Sequence, residues 1–262
     1  MNDLLLKTGL QATRGAGAVI CRGFRHLEAG EIQLKGKNDF VTRVDLEAES
    51  AIKKVIERKF PDHRILAEES GYSTSAGEYL WVIDPLDGTT NFIHGIPHFA
   101  VSMALLKNNQ VIFGLIYEPL SRDRFHAFAG QGAFLNGKPI CVSSTVVLAD
   151  ALGATGFPFK APAQRPAYAR TFKSLLSKCK DMRRCGAAAL DLAYVACGRY
   201  DFFWEAHLLP WDFMAGKLIV AEAGGLTSDF AGKELALCTN TVLAANKNLY
   251  QKLLKEIRTY FK

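Results

Sequence analysis

The 262-residue chain contains no apolar run near the roughly 20 residues that a membrane-crossing helix needs, which excludes a helical span. It opens on Met1-Asn2-Asp3 and a helical stretch with Lys7, Gln11 and Arg14, not on a charged segment followed by an apolar one. A soluble cytoplasmic protein is expected. Six cysteines, Cys21, Cys141, Cys179, Cys185, Cys197 and Cys238, include no C-x-x-C pair. That spacing argues against zinc ligation and against a disulfide framework, and favours reduced thiols in the core. The six histidines also lack metal-ligand spacing; His94 and His98 bracket one loop, where bracing is the expected role. Internal repeats, low-complexity tracts and an evident linker are absent from the sequence.

What the chain does have is a dense polar segment at the end of an apolar one. Leu80-Trp81-Val82-Ile83 reads as a short buried strand, and Asp84-Pro85-Leu86-Asp87-Gly88-Thr89-Thr90-Asn91-Phe92 follows it. Pro85 disfavours helix at Asp84, so the acids fall where the strand leaves its sheet, and Asp87-Gly88-Thr89-Thr90 looks like a helix start. Carboxylates on either side of Leu86 suit one or two divalent cations, and the adjacent N–H groups and hydroxyls suit an anion. A metal-bridged phosphate is the guest that meets both demands. A bare Asp-x-x-Asp-Gly is equally a turn signal. Further acids stand at similar junctions: Glu68 and Glu69 in Leu66-Ala67-Glu68-Glu69-Ser70-Gly71, Asp212 after Pro210-Trp211, and Asp45 after Thr42. Each alone is explicable as a cap or a turn.

Together these segments resemble the inositol monophosphatases, and their bacterial branch in particular. DPLDGTTNF followed by His94-Gly95-Ile96-Pro97 matches the family's first signature, and Trp211-Asp212 through Ala221-Glu222-Ala223-Gly224-Gly225 matches its second. LAEESG, NDFVTRVD and the run Gly130 to Gly137 fall in the family's order, so the resemblance covers nearly the whole chain.

The resemblance implies a Mg²⁺-dependent phosphomonoesterase acting on inositol 1-phosphate or related polyol and sugar monophosphates. Its metal ligands would be Glu68, Asp84, the Leu86 carbonyl, Asp87 and Asp212, with Asp84 bridging two ions. In that scheme one ion acidifies the attacking water and the other stabilises the departing alkoxide. Glu68 and Thr89 would orient the water, with Asp45 accepting from the Thr89 hydroxyl, and Gly88 and Thr89 N–H groups would hold phosphate oxygens. Asp87 and Asp212 border the same substrate position. On the alcohol side the register points to Arg183, Gly186, Ala187 and Glu205; Ala187 stands where relatives commonly carry Ser or Thr, leaving only a backbone donor. Glu205 reads either as the partner of a ring hydroxyl or as a solvated turn acid, and Glu69 either as a loop brace or as a direct participant. Sister activities on fructose bisphosphate, adenosine bisphosphate or histidinol phosphate are the rival reading. Lithium sensitivity is implied too.

Periodicity predicts helices over about 4–28 and 46–59, separated by a turn signal at Gly36-Lys37-Asn38-Asp39. Strand-like runs follow at 65–67, 80–83, 99–106, 111–117 and 124–128, with hairpin turns at Asn108-Asn109 and Asn136-Gly137. Beyond Asp150 the pattern predicts a strand at 151–155, a helix after Pro166, a helix at 187–196, a strand at 200–204, a helix at 212–221, a strand at 241–245 and a terminal helix from Lys247. This is a layered α/β pattern, with an α+β half over 1–150 that carries most of the acids and an α/β half over 151–262 that completes the site. The resemblance implies the five-layer αβαβα sugar-phosphatase fold, with the site where the halves meet.

The formal charge of +6 admits a nucleic-acid partner, and the bacterial branch implies a second role with RNA or a transcription complex. No basic-aromatic recognition motif accompanies the charge; Lys53-Lys54 and Arg58-Lys59 read as a solvated helix face. The family also implies a homodimer. The apolar stretch from Phe99 to Tyr117 fits either a surface covered by a second copy or strands buried on both faces within one chain.

Overall fold

The structure is a computed structural model that describes residues 2–36, 39–73 and 77–261. The chain begins with α1 (Asn2–Gly23), the hairpin β1 (Ile32–Gly36) and β2 (Asp39–Thr42), and α2 (Arg43–Lys59). The turn expected through Lys37 and Asn38 lies outside the described residues. Next come β3 (Arg64–Ala67), β4 (Gly71–Tyr72), β5 (Tyr79–Asp87), the short α3 (Thr89–Ile93), β6 (Ala100–Lys107), β7 (Gln110–Glu118), β8 (Asp123–Phe128), β9 (Ala133–Leu135) and β10 (Lys138–Ile140). The remainder runs β11 (Leu152–Thr155), α4 (Arg165–Leu176), β12 (Asp181–Arg183), α5 (Ala188–Ala196), β13 (Phe202–Ala206), α6 (Pro210–Glu222), β14 (Leu226–Ser228), β15 (Thr241–Ala245) and α7 (Lys247–Tyr260).

Among the described residues, eight strands form one sheet in the order β10-β9-β8-β7-β6-β5-β3-β4, and five form another in the order β12-β11-β13-β15-β14. The first sheet is antiparallel except where β3 runs parallel to β5. In the second, β11 is parallel to β12 and β13. Three apolar clusters define the layers. α1 and α2 pack Ala12, Ala16, Ile20, Ile52 and Ile56 against Trp81, Met103, Phe113 and Leu115 on one face of the large sheet. α5 and α6 fill the space between the two sheets, with Leu192, Phe213 and Ile219 beside Val82, Ile116 and Phe203. α4 and α7 cover the outer face of the small sheet through Leu175, Leu249, Leu253 and Ile257. The result is the αβαβα order, and its middle cluster draws residues from both halves of the chain.

β6 is buried without interruption from Ala100 to Leu106, Val101 and Met103 facing the α1–α2 layer and Ala100 and Ala104 the α5–α6 layer. The apolar segment is therefore covered within one chain, as in strands sandwiched by helices.

Local chemistry explains where elements start and stop. α2 begins at Arg43, earlier than periodicity indicates, because Thr42 Oγ1 accepts the Val44 N–H at 3.1 Å and Asp45 Oδ2 accepts the Thr42 N–H at 2.9 Å. α1 ends at Gly23, short of the expected limit; a Cβ there would sit 2.4 Å from a Val44 methyl, so the glycine permits close helix contact. Asn108 and Asn109 both take positive φ, as do Asn136 and Gly137, giving the tight hairpins anticipated at those pairs. The thiols depart from expectation. Cys21, Cys141 and Cys238 are exposed, Cys179, Cys185 and Cys197 are half-buried, and all six are free. On α1 the buried stripe runs through Ala12, Ala16 and Ile20, which turns Cys21 outward.

Candidate active site

The acids are gathered by an irregularity in β5. Asp84 pairs with Ser102 of β6 and Asp87 with Ala100, so three steps along β5 match two along β6. Strict alternation would send Asp84 and Asp87 to opposite faces; the extra residue turns both toward one cavity. Pro85 lacks an N–H, so it gives up no ladder bond at this position. Leu86, 1% exposed, packs beneath, and its N–H donates to Asp84 Oδ1 at 2.9 Å.

Gly88 then adopts φ +95°, and a Cβ there would lie 3.0 Å from the His98 carbonyl oxygen, so glycine alone fits comfortably. α3 starts at Thr89, whose hydroxyl lies 3.1 Å from Asp45 Oδ1 and 3.1 Å from the Leu86 carbonyl oxygen. One hydroxyl proton serves one acceptor at a time, so Thr89 can switch between them. Asp45 stands behind the cavity with Oδ2 engaged by Thr42 and Oδ1 free for Thr89.

The second half supplies the opposite wall. Asp212 lies in the first turn of α6 behind Pro210, its carboxylate accepting the Leu209 N–H at 2.7 Å. Ser102 Oγ donates to the Trp211 carbonyl at 3.0 Å, fixing that turn to the large sheet. Asp87 Oδ2 accepts the Ala189 N–H at 2.7 Å at the start of α5. Asn91 Nδ2 donates to the carbonyls of His98 and Cys185, each at 2.8 Å.

A cavity of about 480 Å³ lies between these elements, and Glu68, Asp84, Leu86, Asp87, Gly88, Thr89, Gly186, Glu205 and Asp212 all line it. Asp45 and Ala187 are buried behind the wall. Glu69 does not line the cavity; its N–H donates to Glu49 Oε2 at 2.9 Å, which ties the loop to α2. Glu205 is not a solvated turn acid: it sits in β13, half-buried in the wall, and a Cβ on Gly156 would collide with its carboxylate.

Arg183 is placed elsewhere. Its guanidinium pairs with Asp181 at 2.5 Å, its side chain is 45% exposed, and Arg184 lines the cavity instead. Neighbouring residues at a strand end point to opposite sides, and β12 ends at Arg183. The Arg184 guanidinium stands 5.2 Å from the Phe157 ring and 5.5 Å from that of Phe159. Phe157, Phe159 and Lys160, on the loop after β11, and Arg184, just after β12, form the rim that sequence reasoning missed; the loop after β11 carries no spacing signal. Asn91 and the Ala189 N–H were missed as well, the first inside a recognised motif and the second invisible to side-chain patterns.

Crowded carboxylates change one another's protonation. Burial, then the charges of Glu68, Asp87 and Asp212, raise Asp84 well above the ordinary carboxylate range. Burial pushes Asp87 up to about 7 against the opposing Ala189 hydrogen bond, with Glu205 and Glu68 adding to the rise. Burial and then Asp87 raise Asp212. Glu205 is pushed up to about 8 by burial and Asp212, and Asp45 to about 6 by burial against its Thr42 bonds. Glu68, Asp84, Asp87, Asp212 and the Leu86 carbonyl form an all-oxygen donor set of excess negative charge. That chemistry fits a hard divalent cation such as Mg²⁺, which would relieve the repulsion.

The family model for the inositol monophosphatase family matches residues 1–261. The chain belongs to the inositol monophosphatase family. It is 44% identical over 261 residues to Nus factor SuhB of Pseudomonas aeruginosa, covering 98% of this chain and 96% of that protein. The solved extragenic suppressor protein suhB of Bartonella henselae superposes with a TM-score of 0.92 at 36% identity, covering 97% of this chain and 98% of the other. The inositol monophosphatase of Anabaena superposes with a TM-score of 0.88 at 38% identity, covering 99% and 98%. The layered fold described above is thus the fold of this family. Among the described residues no helix is long and apolar enough to cross a membrane.

Proposed function

We propose that the protein is a Mg²⁺-dependent phosphomonoesterase that hydrolyses inositol 1-phosphate or a related polyol or sugar monophosphate. The observation that carries this reading is the convergence of Glu68 from the turn after β3, Asp84 and Asp87 from β5, and Asp212 from α6 on one cavity with Thr89. Glu68, Asp84, the Leu86 carbonyl, Asp87 and Asp212 would hold the cations. Bound Mg²⁺ supplies charge neutralisation, a more acidic water and stabilisation of the departing oxygen.

The chain's own groups do the rest. Glu68 and Thr89 position the attacking water, and Thr89 passes its hydroxyl proton toward Asp45 Oδ1, the acceptor already 3.1 Å away. The main-chain N–H groups of Gly88 and Thr89 are the donors assigned to phosphate oxygens. Glu205 and the backbone beside Gly186 and Ala187 face the alcohol, and Arg184 replaces Arg183 as the cationic contact. Gly156, set against the Glu205 carboxylate, keeps that acid aimed into the cavity.

The test is a substrate panel compared by kcat/KM: inositol 1-phosphate, other polyol and sugar monophosphates, fructose bisphosphate, adenosine bisphosphate and histidinol phosphate. A preference for the polyol monophosphates is expected. A large advantage for a bisphosphorylated nucleotide would reassign the substrate.

A second role with RNA or a transcription complex is favoured by one observation, the 44% identity to a protein named Nus factor SuhB. The formal charge of +6 is compatible with phosphate contacts. Mixing with RNA and transcription factors at two salt concentrations tests it, and absence of binding at low salt would remove it.

A further inference from the structure

Behind the phosphate loop lies a trio of side chains that the proposed hydrolysis does not use. A ring nitrogen of His98, the Cys185 sulfur and a carboxylate oxygen of Asp191 all lie within 4.8 Å of one another. His98 precedes β6, Cys185 lies between β12 and α5, and Asp191 is in the first turn of α5. The sequence separates them by 87 and 6 residues, from positions 98, 185 and 191, so no local spacing betrays the group.

Two of the three are short of partners. Asp191 is 1% exposed, and neither its Oδ1 nor His98 Nε2 finds a hydrogen bond among the described residues. A buried polar atom without a partner calls for an explanation, and an ion or an ordered water supplies one. The scaffold is held in place: Asn91 Nδ2 bonds the carbonyls of both His98 and Cys185 at 2.8 Å. The Tyr200 hydroxyl lies 3.4 Å from the Cys185 sulfur, where it can donate to a thiolate.

We propose that His98, Cys185 and Asp191 form a second cation site, selective for a thiophilic divalent ion of the Zn²⁺ class. Imidazole, thiolate and carboxylate are the ligands that Zn²⁺ takes, whereas Mg²⁺ prefers oxygen alone, so the two sites select different ions. One thiolate and one carboxylate balance the double positive charge, and binding releases the Cys185 proton to solvent. Tetrahedral donors at ordinary zinc bond lengths stand about 3.3–3.8 Å apart, so the trio has to close by about 1 Å, with water taking the fourth position. The site borders the active cavity, since Gly186 lines it and the Ala189 N–H holds Asp87. An ion there would fix the 185–191 segment from behind.

The test uses the full chain, stripped of metal and then kept in excess Mg²⁺, and titrated with Co²⁺ as a spectroscopic substitute for Zn²⁺. The expected result is a thiolate-to-cobalt charge-transfer band saturating at one equivalent and displaced by Zn²⁺. The band should vanish in Cys185→Ser and in the bulkier Cys185→Thr and persist in Cys238→Ser. In parallel, stoichiometric Zn²⁺ should slow alkylation of Cys185 in the wild-type protein by at least about tenfold while leaving Cys21, Cys141 and Cys238 unaffected. Absence of the band in the wild-type protein would mean that the trio holds only a bridging water, and the proposal would fall. Persistence of the band in both Cys185 variants, or unprotected Cys185 alkylation, would overturn it equally.

Discussion

Asp87 Oδ2 accepts the main-chain N–H of Ala189 at 2.7 Å, across 102 residues of sequence. The bond lets the start of α5, in the second half of the chain, set the orientation of an acid on β5 in the first. Replacing Ala189 by proline removes the donor at a first-turn position, where proline is tolerated. The substitution should lower kcat roughly 10- to 100-fold, the usual effect of losing a group that orients a ligand, with the far-UV circular dichroism spectrum unchanged. Steady-state kinetics beside the spectrum check this.

Arg184 and Arg183 separate cleanly. Arg184→Ala should raise KM for a polyol monophosphate several-fold, because Arg184 lines the cavity. Arg183→Ala should leave both kinetics and Tm essentially unchanged, since it removes one exposed ion pair with Asp181, and such pairs contribute little. Equal effects from both variants would contradict the placement of the rim.

The contrast between these arginines also shows what the sequence made legible. The long elements were readable because their periodicities are strong: β6, β7, α5 and α7 lie within a few residues of their expected ranges. The acids were readable because Asp, Gly and Thr cluster where an apolar run ends. The bulge that turns Asp84 and Asp87 to one side is a property of pairing with β6, and no local pattern encodes it. Short strands such as β4, β12 and β14 have too few residues to show alternation. Arg184 was missed because the choice between adjacent arginines depends on where β12 stops. The cysteines were misplaced because small-residue surroundings in sequence do not say which side of a helix faces the core.

Protonation of the acid cluster links metal to stability. Asp87 and Glu205 have folded-state values raised to about 7 and about 8, above their unfolded ones, so the fold binds more protons than the unfolded chain between those limits. Their contribution is therefore most favourable at low pH and is lost as pH rises through about 7 and 8. The metal-free protein should lose Tm between pH 5 and pH 8 through these groups. Added Mg²⁺ should raise Tm more at pH 8 than at pH 5, because it replaces the lost protons as counter-charge. Thermal melts at the two pH values, with and without Mg²⁺, decide the sign.

The homodimer rests on family resemblance alone, because the apolar strand β6 is covered within the chain. Light scattering should give a dimeric mass across micromolar concentrations, and a monomeric mass throughout would remove the expectation.

Phosphate release from inositol 1-phosphate by chelator-stripped protein, followed as Mg²⁺ is added back, bears most directly on the proposed chemistry. Turnover should be absent without metal, appear on titration with Mg²⁺, be inhibited by lithium, and fall at least about 100-fold in a folded Asp84→Asn variant, exceeding the loss typical of merely orienting residues. Full activity in the stripped protein, or undiminished activity in Asp84→Asn, would contradict a metal-dependent phosphatase centred on these acids.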